Sequence, residues 1–355
     1  MTERLLLGSG PSPVPRSVLD ALARPTLGHL DPAFTEILDS CRARLREVFR
    51  TANETTLPIS GTGSAGMEAM VANLVKPGDR VVCGVHGLFG ERMADELGRF
   101  GTDVVRVEGE WGRAIPVERL LGAADSWDAL FVVHGETSTG VRQPLDGLAD
   151  ACRDRDALLL VDCVTSLAGA PIGIDDEGID AAFSGSQKCI NCPPGLAPLT
   201  VGERALERAG DSRSWYFDLK LIRGYVGERV YHHTAPTNMI VALDEALRLV
   251  VDEGLEARWA RHAEAHEWLR AQLAERGFER LAPDGEELAS LLCVEVPEEL
   301  DEATARRALL LEHDIEVSGG LGPLAGRVWR IGVMGEGARR DAQERFLSAL
   351  DIVTA

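Results

Sequence analysis

Between residues 55 and 201 the chain alternates two spacings: short runs of consecutive apolar residues, and longer stretches in which apolar residues recur every three or four positions. The runs predict strands at Thr56–Ile59, Arg80–Val85, Asp103–Val107, Ala129–Val133, Ala157–Val161, Ala181–Phe183 and Leu196–Val201. Near-continuous Val, Leu and Ala suits strands buried on both faces. The periodic stretches predict helices at Ala65–Val75, Leu88–Phe100, Pro116–Ala123 and Leu145–Asp154, several of them flanked by Gly or Pro. Strands and helices taking turns in this way form βαβ units, so an α/β domain around a mainly parallel, seven-stranded sheet is expected.

After Pro236 the pattern changes. A long helical stretch, Asn238–Arg276, is interrupted at Gly254, and strands near Leu288–Val296 and Val328–Ile331 follow with a helix between them. This predicts a smaller α+β domain. The Pro- and Gly-rich start is expected to extend across another surface rather than fold by itself. The expected organisation is an extended segment at 1–20, a large domain at 21–236 and a C-terminal domain at 237–355. No internal repeat or low-complexity segment interrupts it.

Composition sharpens this picture. Apolar residues make up 45% and charged residues 26%, the balance of a compact folded chain. A formal charge of -20 leaves no basic stripe for a nucleic-acid backbone or an acidic membrane surface, so neither is an expected partner. The apolar run Leu5-Leu6-Leu7 is too short for a signal-peptide core, and nothing approaches the roughly 20 apolar residues of a membrane span. Cytoplasmic location is the expectation. Seven scattered cysteines do not form the framework of a secreted domain, and reduced thiols are expected. Only three of the 37 basic side chains are lysines, Lys76, Lys188 and Lys220, so chemistry that needs a primary amine has three candidates.

The run Ser60-Gly61-Thr62-Gly63-Ser64-Ala65-Gly66 follows a predicted strand and opens a predicted helix, where free backbone N–H groups favour an anion. Without a lysine it suits a phosphate monoester better than a triphosphate. A glycine turn that merely packs strand against helix would have the same pattern. Gly61, Gly63 and Gly66 also satisfy G-x-G-x-x-G, the basis of a rival reading as a dinucleotide-dependent dehydrogenase. That reading lacks its acidic ribose-binding residue, because the next strand ends Cys83-Gly84-Val85-His86.

Asp162 ends an apolar strand at the edge where open α/β sheets bind ligands. A protonated pyridine nitrogen would be a fitting partner, although an Asp capping the following turn also sits this way. Lys188 closes Ser184-Gly185-Ser186-Gln187-Lys188 after another strand, flanked by small residues. A lysine partly desolvated there would lose its proton readily and could form an imine with an aldehyde cofactor. An exposed lysine is the plain alternative; it describes Lys76, in the turn Lys76-Pro77-Gly78, and Lys220 lacks the small-residue setting. Cys189 and Cys192 form a CxxC beside the lysine but have no second ligand pair, and are expected to pack. His262 and His266, spaced i, i+4, are expected on an exposed polar helix face rather than on a metal.

In this order the motifs resemble those of class V aminotransferases, pyridoxal-phosphate (PLP) enzymes of fold type I, and most of all the alanine:glyoxylate and serine:pyruvate/glyoxylate group. The likeness runs nearly end to end: Gly8-Ser9-Gly10-Pro11, Ser60-Gly61-Thr62-Gly63, His134-Gly135-Glu136-Thr137-Ser138-Thr139-Gly140, Val161-Asp162, Ser184 to Lys188, Pro193-Pro194-Gly195, Tyr231-His232-His233-Thr234 and Gly319-Gly320-Leu321-Gly322. The resemblance implies that Lys188 carries PLP as a Schiff base and that Asp162 pairs with the ring nitrogen. It implies phosphate contacts from Thr62, Gly63, Ser64 and Gln187, ring contacts from Phe89 and Val164, and a hydrogen bond from Thr137 to the ring hydroxyl. Tyr231 and Thr234 match residues that reach the neighbouring subunit's phosphate, implying a homodimer with shared active sites. Arg330 matches the arginine that grips the substrate carboxylate, a fitting task for a planar guanidinium, and Ser9 and Gly10 lie where substrates sit. No metal is implied.

Phe89 stands where relatives often carry Trp or another large aromatic and Ser64 where they often carry His, so weaker stacking on the cofactor is expected, while Ser9 replaces a proline near where substrates sit and so bears on substrate choice. The expected activity is ping-pong transamination between a small amino acid, alanine or serine, and a small 2-oxo acid, glyoxylate or pyruvate. Alternatives on the same scaffold are a biosynthetic aminotransferase with an unusual substrate, a lyase or desulfurase, and a non-catalytic binding protein. A desulfurase needs a mobile cysteine, and Cys293 lies in an apolar predicted strand.

Overall fold

The computed structural model describes residues 4–354, so residues 1–3 of the expected N-terminal segment lie outside the described residues. Seven strands build the main sheet: β1 (Thr55–Ser60), β2 (Arg80–Val85), β3 (Asp103–Glu108), β4 (Ala129–Val133), β5 (Leu158–Asp162), β6 (Ala181–Phe183) and β7 (Leu196–Val201). Their order is β1-β7-β6-β5-β4-β2-β3, and β7 alone runs antiparallel to its neighbours. The apolar runs become strands because helices cover both faces; every residue of β4, β5 and β6 is buried. Helix Gly63–Leu74 lies directly on the sheet. A Cβ on Gly66 would come within 3.0 Å of Ala197 and 3.1 Å of Phe183, so any side chain there would crowd the helix against the sheet.

Pro32–Phe49, where the hydrophobic pattern had suggested no element, forms a helix of 18 residues. Asp31 caps it by accepting the Ala33 N–H, and Pro32 occupies the first turn. Phe34, Leu38, Cys41, Leu45 and Val48 face inward at helical spacing.

The smaller unit is a four-stranded antiparallel sheet in the order Glu279–Arg280, Leu291–Glu295, Val328–Gly332, Ser318–Gly319. Its core joins these strands to residues of helices Leu255–Ala274, Glu302–Glu312 and Arg340–Val353. The large apolar core continues past residue 236, where the sequence pattern changes, and also takes in Leu288, Leu291 and Met334. The reason is helix Thr237–Glu253, whose Ile240, Leu243, Ala246, Leu247 and Val250 belong to the large core, packed against Pro32–Phe49 and Arg16–Leu22.

The N-terminal segment bridges the two units. Leu5–Leu6 pairs in parallel with Ile315–Glu316, the Leu7 carbonyl accepts the Gly332 N–H at 2.8 Å, and Ser12 N–H donates to the Gln187 carbonyl at 2.9 Å. Extension ends earlier than residue 20, because Arg16–Leu22 coils into a helix that buries Val18 and Ala21. This path carries Ser9 and Gly10 past the loop that bears Lys188. Among the described residues no helix is long and apolar enough to cross a membrane.

Candidate active site

The cleft lies at the carboxyl edge of the main sheet. β1 delivers Gly61 to Gly63, β5 delivers Asp162, and β6 leads into Ser184 to Lys188. Thr62, Gly63, Ser64, Phe89, Asp162, Val164, Gln187 and Lys188 line one cavity, together with Met67, Arg92 and Phe183. Eight residues singled out in the sequence thus meet around one space.

Lys188 is the one buried lysine, while Lys76 and Lys220 are exposed. Its Nζ donates to the Ser9 carbonyl. Burial pushes its ammonium down from 10.5 to about 8, and the charge of Arg330 pushes the same way. Such an amine is neutral often enough near physiological pH to attack a carbonyl. Gly10 sets the fit. Its φ is +105°, and a Cβ there would stand 2.7 Å from Nζ.

Asp162 is buried, and burial drives its carboxyl up from 3.8 to about 7 against the opposing pull of the Val164 N–H, which donates to it at 2.8 Å. Among the described residues no cation pairs with it. Arg330, from the strand Val328–Gly332, is the complementary case: a buried guanidinium that donates to the carbonyls of Gly319 (2.9 Å) and Thr137 (3.1 Å) and has no carboxylate partner among the described residues. A buried charge without its counterpart is costly unless a ligand supplies one.

At the other end of the cavity, Gly63 and Ser64 begin a helix whose first amides have no intrahelical acceptor. The Gln187 side-chain oxygen is buried without a partner. Arg92, absent from the residues singled out in the sequence, adds the charge: its guanidinium lies 4.9 Å from the Phe89 ring and donates to Ser64 Oγ at 3.1 Å. Its signal was its place one helical turn after Phe89. Thr137 is buried, shares a hydrogen bond with the Thr165 hydroxyl, and holds Arg330 through its carbonyl. Ser9 bonds Ser318 Oγ through its amide, 3.0 Å, and its hydroxyl, 3.2 Å.

Tyr231 and Thr234 are not brought to this chain's own cavity. Tyr231 is exposed and tilts against His29 at 5.3 Å, and Thr234 lines a separate surface depression with Leu27 and Met239. The histidines are a correction. His262 and His266 are buried, not on an exposed face. His262 Nε2 accepts the Gly335 N–H at 2.9 Å while Nδ1 faces the Arg258 carbonyl at 2.7 Å, and burial pushes the two imidazoles down to about 3 and about 4. Both lie on the seam where helix Leu255–Ala274 meets its neighbours. Cys189 and Cys192 are buried beside the lysine, with thiols pushed up by burial to about 11 and about 12.

The donor set fits PLP. The cavity offers an amine for its aldehyde, a buried carboxylate with no cation partner among the described residues for its ring nitrogen, and a helix start with a nearby arginine for its phosphate. An open α/β sheet with this lysine, aspartate and arginine defines an amino-group transferase of the PLP-dependent, fold type I kind.

The model of the aminotransferase class-V family matches residues 4–325, and the chain belongs to that family. The (S)-ureidoglycine–glyoxylate transaminase of Bacillus subtilis is 37% identical over 99% of this chain and 90% of its own length. The alanine–glyoxylate aminotransferase of Drosophila melanogaster is 36% identical, covering 98% of this chain and 91% of that protein. Among solved structures, an alanine–glyoxylate aminotransferase from Nostoc sp. superposes with a TM-score of 0.98 at 45% identity, over 100% of this chain and 96% of that one. The protein is an aminotransferase, and the dinucleotide-dependent dehydrogenase reading falls.

Proposed function

We propose that this protein transfers the amino group of a small amino acid, alanine or serine, to a small 2-oxo acid, glyoxylate before pyruvate, with PLP held on Lys188 and the two substrates taken in turn. One observation carries the proposal: among the described residues, a buried Lys188 feels the charges of both an aspartate without a cation and an arginine without an anion. Glyoxylate is named in several relatives, whereas the donors named differ between alanine and (S)-ureidoglycine.

Bound here, PLP supplies an aldehyde that carries nitrogen and a ring that withdraws electrons from the substrate Cα. The protein supplies the rest. Arg330 binds the substrate carboxylate through the face of its guanidinium not used by Gly319 and Thr137, and so orients Cα. Lys188, once freed, would carry the Cα proton at Nζ, and its lowered proton affinity suits both taking the proton and giving it up. Asp162 keeps the ring nitrogen protonated by an ion pair sheltered from water. Thr62, Gly63, Ser64, Gln187 and Arg92 would hold the phosphate and Phe89 and Val164 the ring, all of them lining the cavity, while family resemblance assigns the ring hydroxyl to the buried Thr137.

Tyr231 and Thr234 serve the cavity of a second copy in a homodimer. Their distance from this chain's own site supports that assignment, as does the exposed apolar surface beside them, Trp215, Leu221 and Val230. A desulfurase is disfavoured because all seven cysteines are buried and burial pushes the Cys293 thiol up to about 12. The test is to mix PLP-loaded protein with alanine, serine or (S)-ureidoglycine, one at a time, and follow loss of the bound-PLP absorbance. A donor that discharges it, with recovery on adding glyoxylate, supports the proposal; no response to any of the three refutes it.

A further inference from the structure

Glu136 is fully buried in the segment that leaves β4, and the mechanism above gives it no role. Its carboxylate has four donors around it. Oε2 accepts the N–H of Phe89 at 3.1 Å and of Gly90 at 3.3 Å, while Oε1 accepts the N–H of Ser138 at 2.9 Å and its hydroxyl at 2.6 Å. Ser138 Oγ in turn accepts the Leu88 N–H at 2.9 Å. Leu88, Phe89 and Gly90 open helix Leu88–Arg99, whose N-cap, Gly87, has no side chain to satisfy them. The first intrahelical-type bond starts one residue later, from Glu91 N–H to the Gly87 carbonyl. Glu136 and Ser138 therefore cap this helix from another part of the chain, at the turn that bears Phe89.

The fit is tight and specific. A Cβ on Gly87 would lie 2.4 Å from both Cγ and Cδ of Glu136, so the turn is moulded around the carboxylate. Between the two capping residues sits Thr137, whose carbonyl receives Arg330. One three-residue segment thus fixes the start of the ring-bearing helix and a bond to the carboxylate-binding arginine. All four partners of Glu136 are donors, which a carboxylate satisfies and a carboxamide does not.

We infer that Glu136 is a positioning residue: its buried carboxylate holds Phe89 at the cofactor ring, and the affinity for PLP depends on it through Phe89. This rests on the reading of Phe89 as a ring contact. The charge also reaches Asp162, Lys188 and Arg330, raising the proton affinity of each.

The experiment is a double-mutant cycle on the dissociation constant of PLP, titrated into full-length apo protein by fluorescence or absorbance, for wild type, Glu136→Gln, Phe89→Ala and the double variant, with apo melting recorded for each. An aromatic ring contact is worth about 0.5–1.5 kcal/mol, or roughly 2- to 12-fold in affinity. Glu136→Gln is expected to weaken PLP by a factor in that range when Phe89 is present and to have little effect when it is alanine. Equal weakening in both backgrounds, the mark of a general structural role, overturns the inference, as does wild-type affinity in Glu136→Gln. If Glu136→Gln does not fold, Glu136→Asp carries the same cycle, keeping the acceptors but drawing them back by one methylene. Wild-type protein that fails to bind PLP at all would instead remove the proposed function, and this inference with it.

Discussion

Replacing Asp162 with asparagine is expected to make the apo protein more stable while depriving it of PLP. The carboxyl is driven from 3.8 to about 7, with burial the leading cause. A displacement of that size is worth about 4 kcal/mol at 1.36 kcal/mol per pH unit, taken as a ceiling. The sign follows from linkage. A group whose proton affinity is higher in the folded state lends its full stability below the unfolded value, and loses it as pH rises through the folded value. Asp162 is therefore neutral and harmless below about pH 4, and a full burden above about pH 7. Asparagine keeps the shape and can keep the 2.8 Å bond from Val164 N–H, but it never ionises. Thermal and urea unfolding of the two apo proteins at pH 8 and pH 5 measure the difference. A gain of about 1–4 kcal/mol at pH 8, shrinking to less than half at pH 5, is expected, with PLP affinity reduced at both. Equal or lower stability of the variant at pH 8, or a gain that does not shrink on acidification, would refute the reasoning that this carboxylate waits for a ligand cation.

Arg330→Gln is expected to raise KM for the amino donor by roughly 10- to 150-fold, the value of about 1.5–3 kcal/mol for hydrogen bonds to a charged group, measured by steady-state kinetics with the acceptor saturating. The same variant should move the pH midpoint for PLP capture by the apo protein upward from about 8, because the guanidinium holds the Lys188 ammonium down; an unmoved midpoint contradicts that coupling. Gly10→Ala should slow PLP capture about tenfold or more in stopped-flow mixing, since its Cβ would sit 2.7 Å from Nζ and φ is +105°. Capture at the wild-type rate would show that the segment yields.

The central strands of the large sheet were legible because they are unbroken apolar runs covered on both faces, and Lys188 because lysines are so few in this chain. Helix Pro32–Phe49 was legible too but unread: Asp31-Pro32 is a start signal, and Phe34, Leu38, Cys41, Leu45 and Val48 keep its period. The change of pattern at residue 236 does not end the large core, because helix Thr237–Glu253 still belongs to it. His262 and His266 read as surface because helix Leu255–Ala274 buries Arg258 as well, in a polar seam that periodicity alone cannot separate from a wet face. The capping role of Glu136 could not be read from its motif. Its partners Phe89 and Gly90 lie 47 and 46 residues away in the chain, and only folding brings a carboxylate to amides that far apart in sequence.

The most direct measurement is to load the protein with PLP, reduce it with borohydride, and map the labelled peptide by mass spectrometry. Label on the peptide containing Lys188, and on neither Lys76 nor Lys220, is the expected result. Label on either of those exposed lysines, or a protein that retains no PLP, would contradict the assignment of this cleft as the catalytic centre.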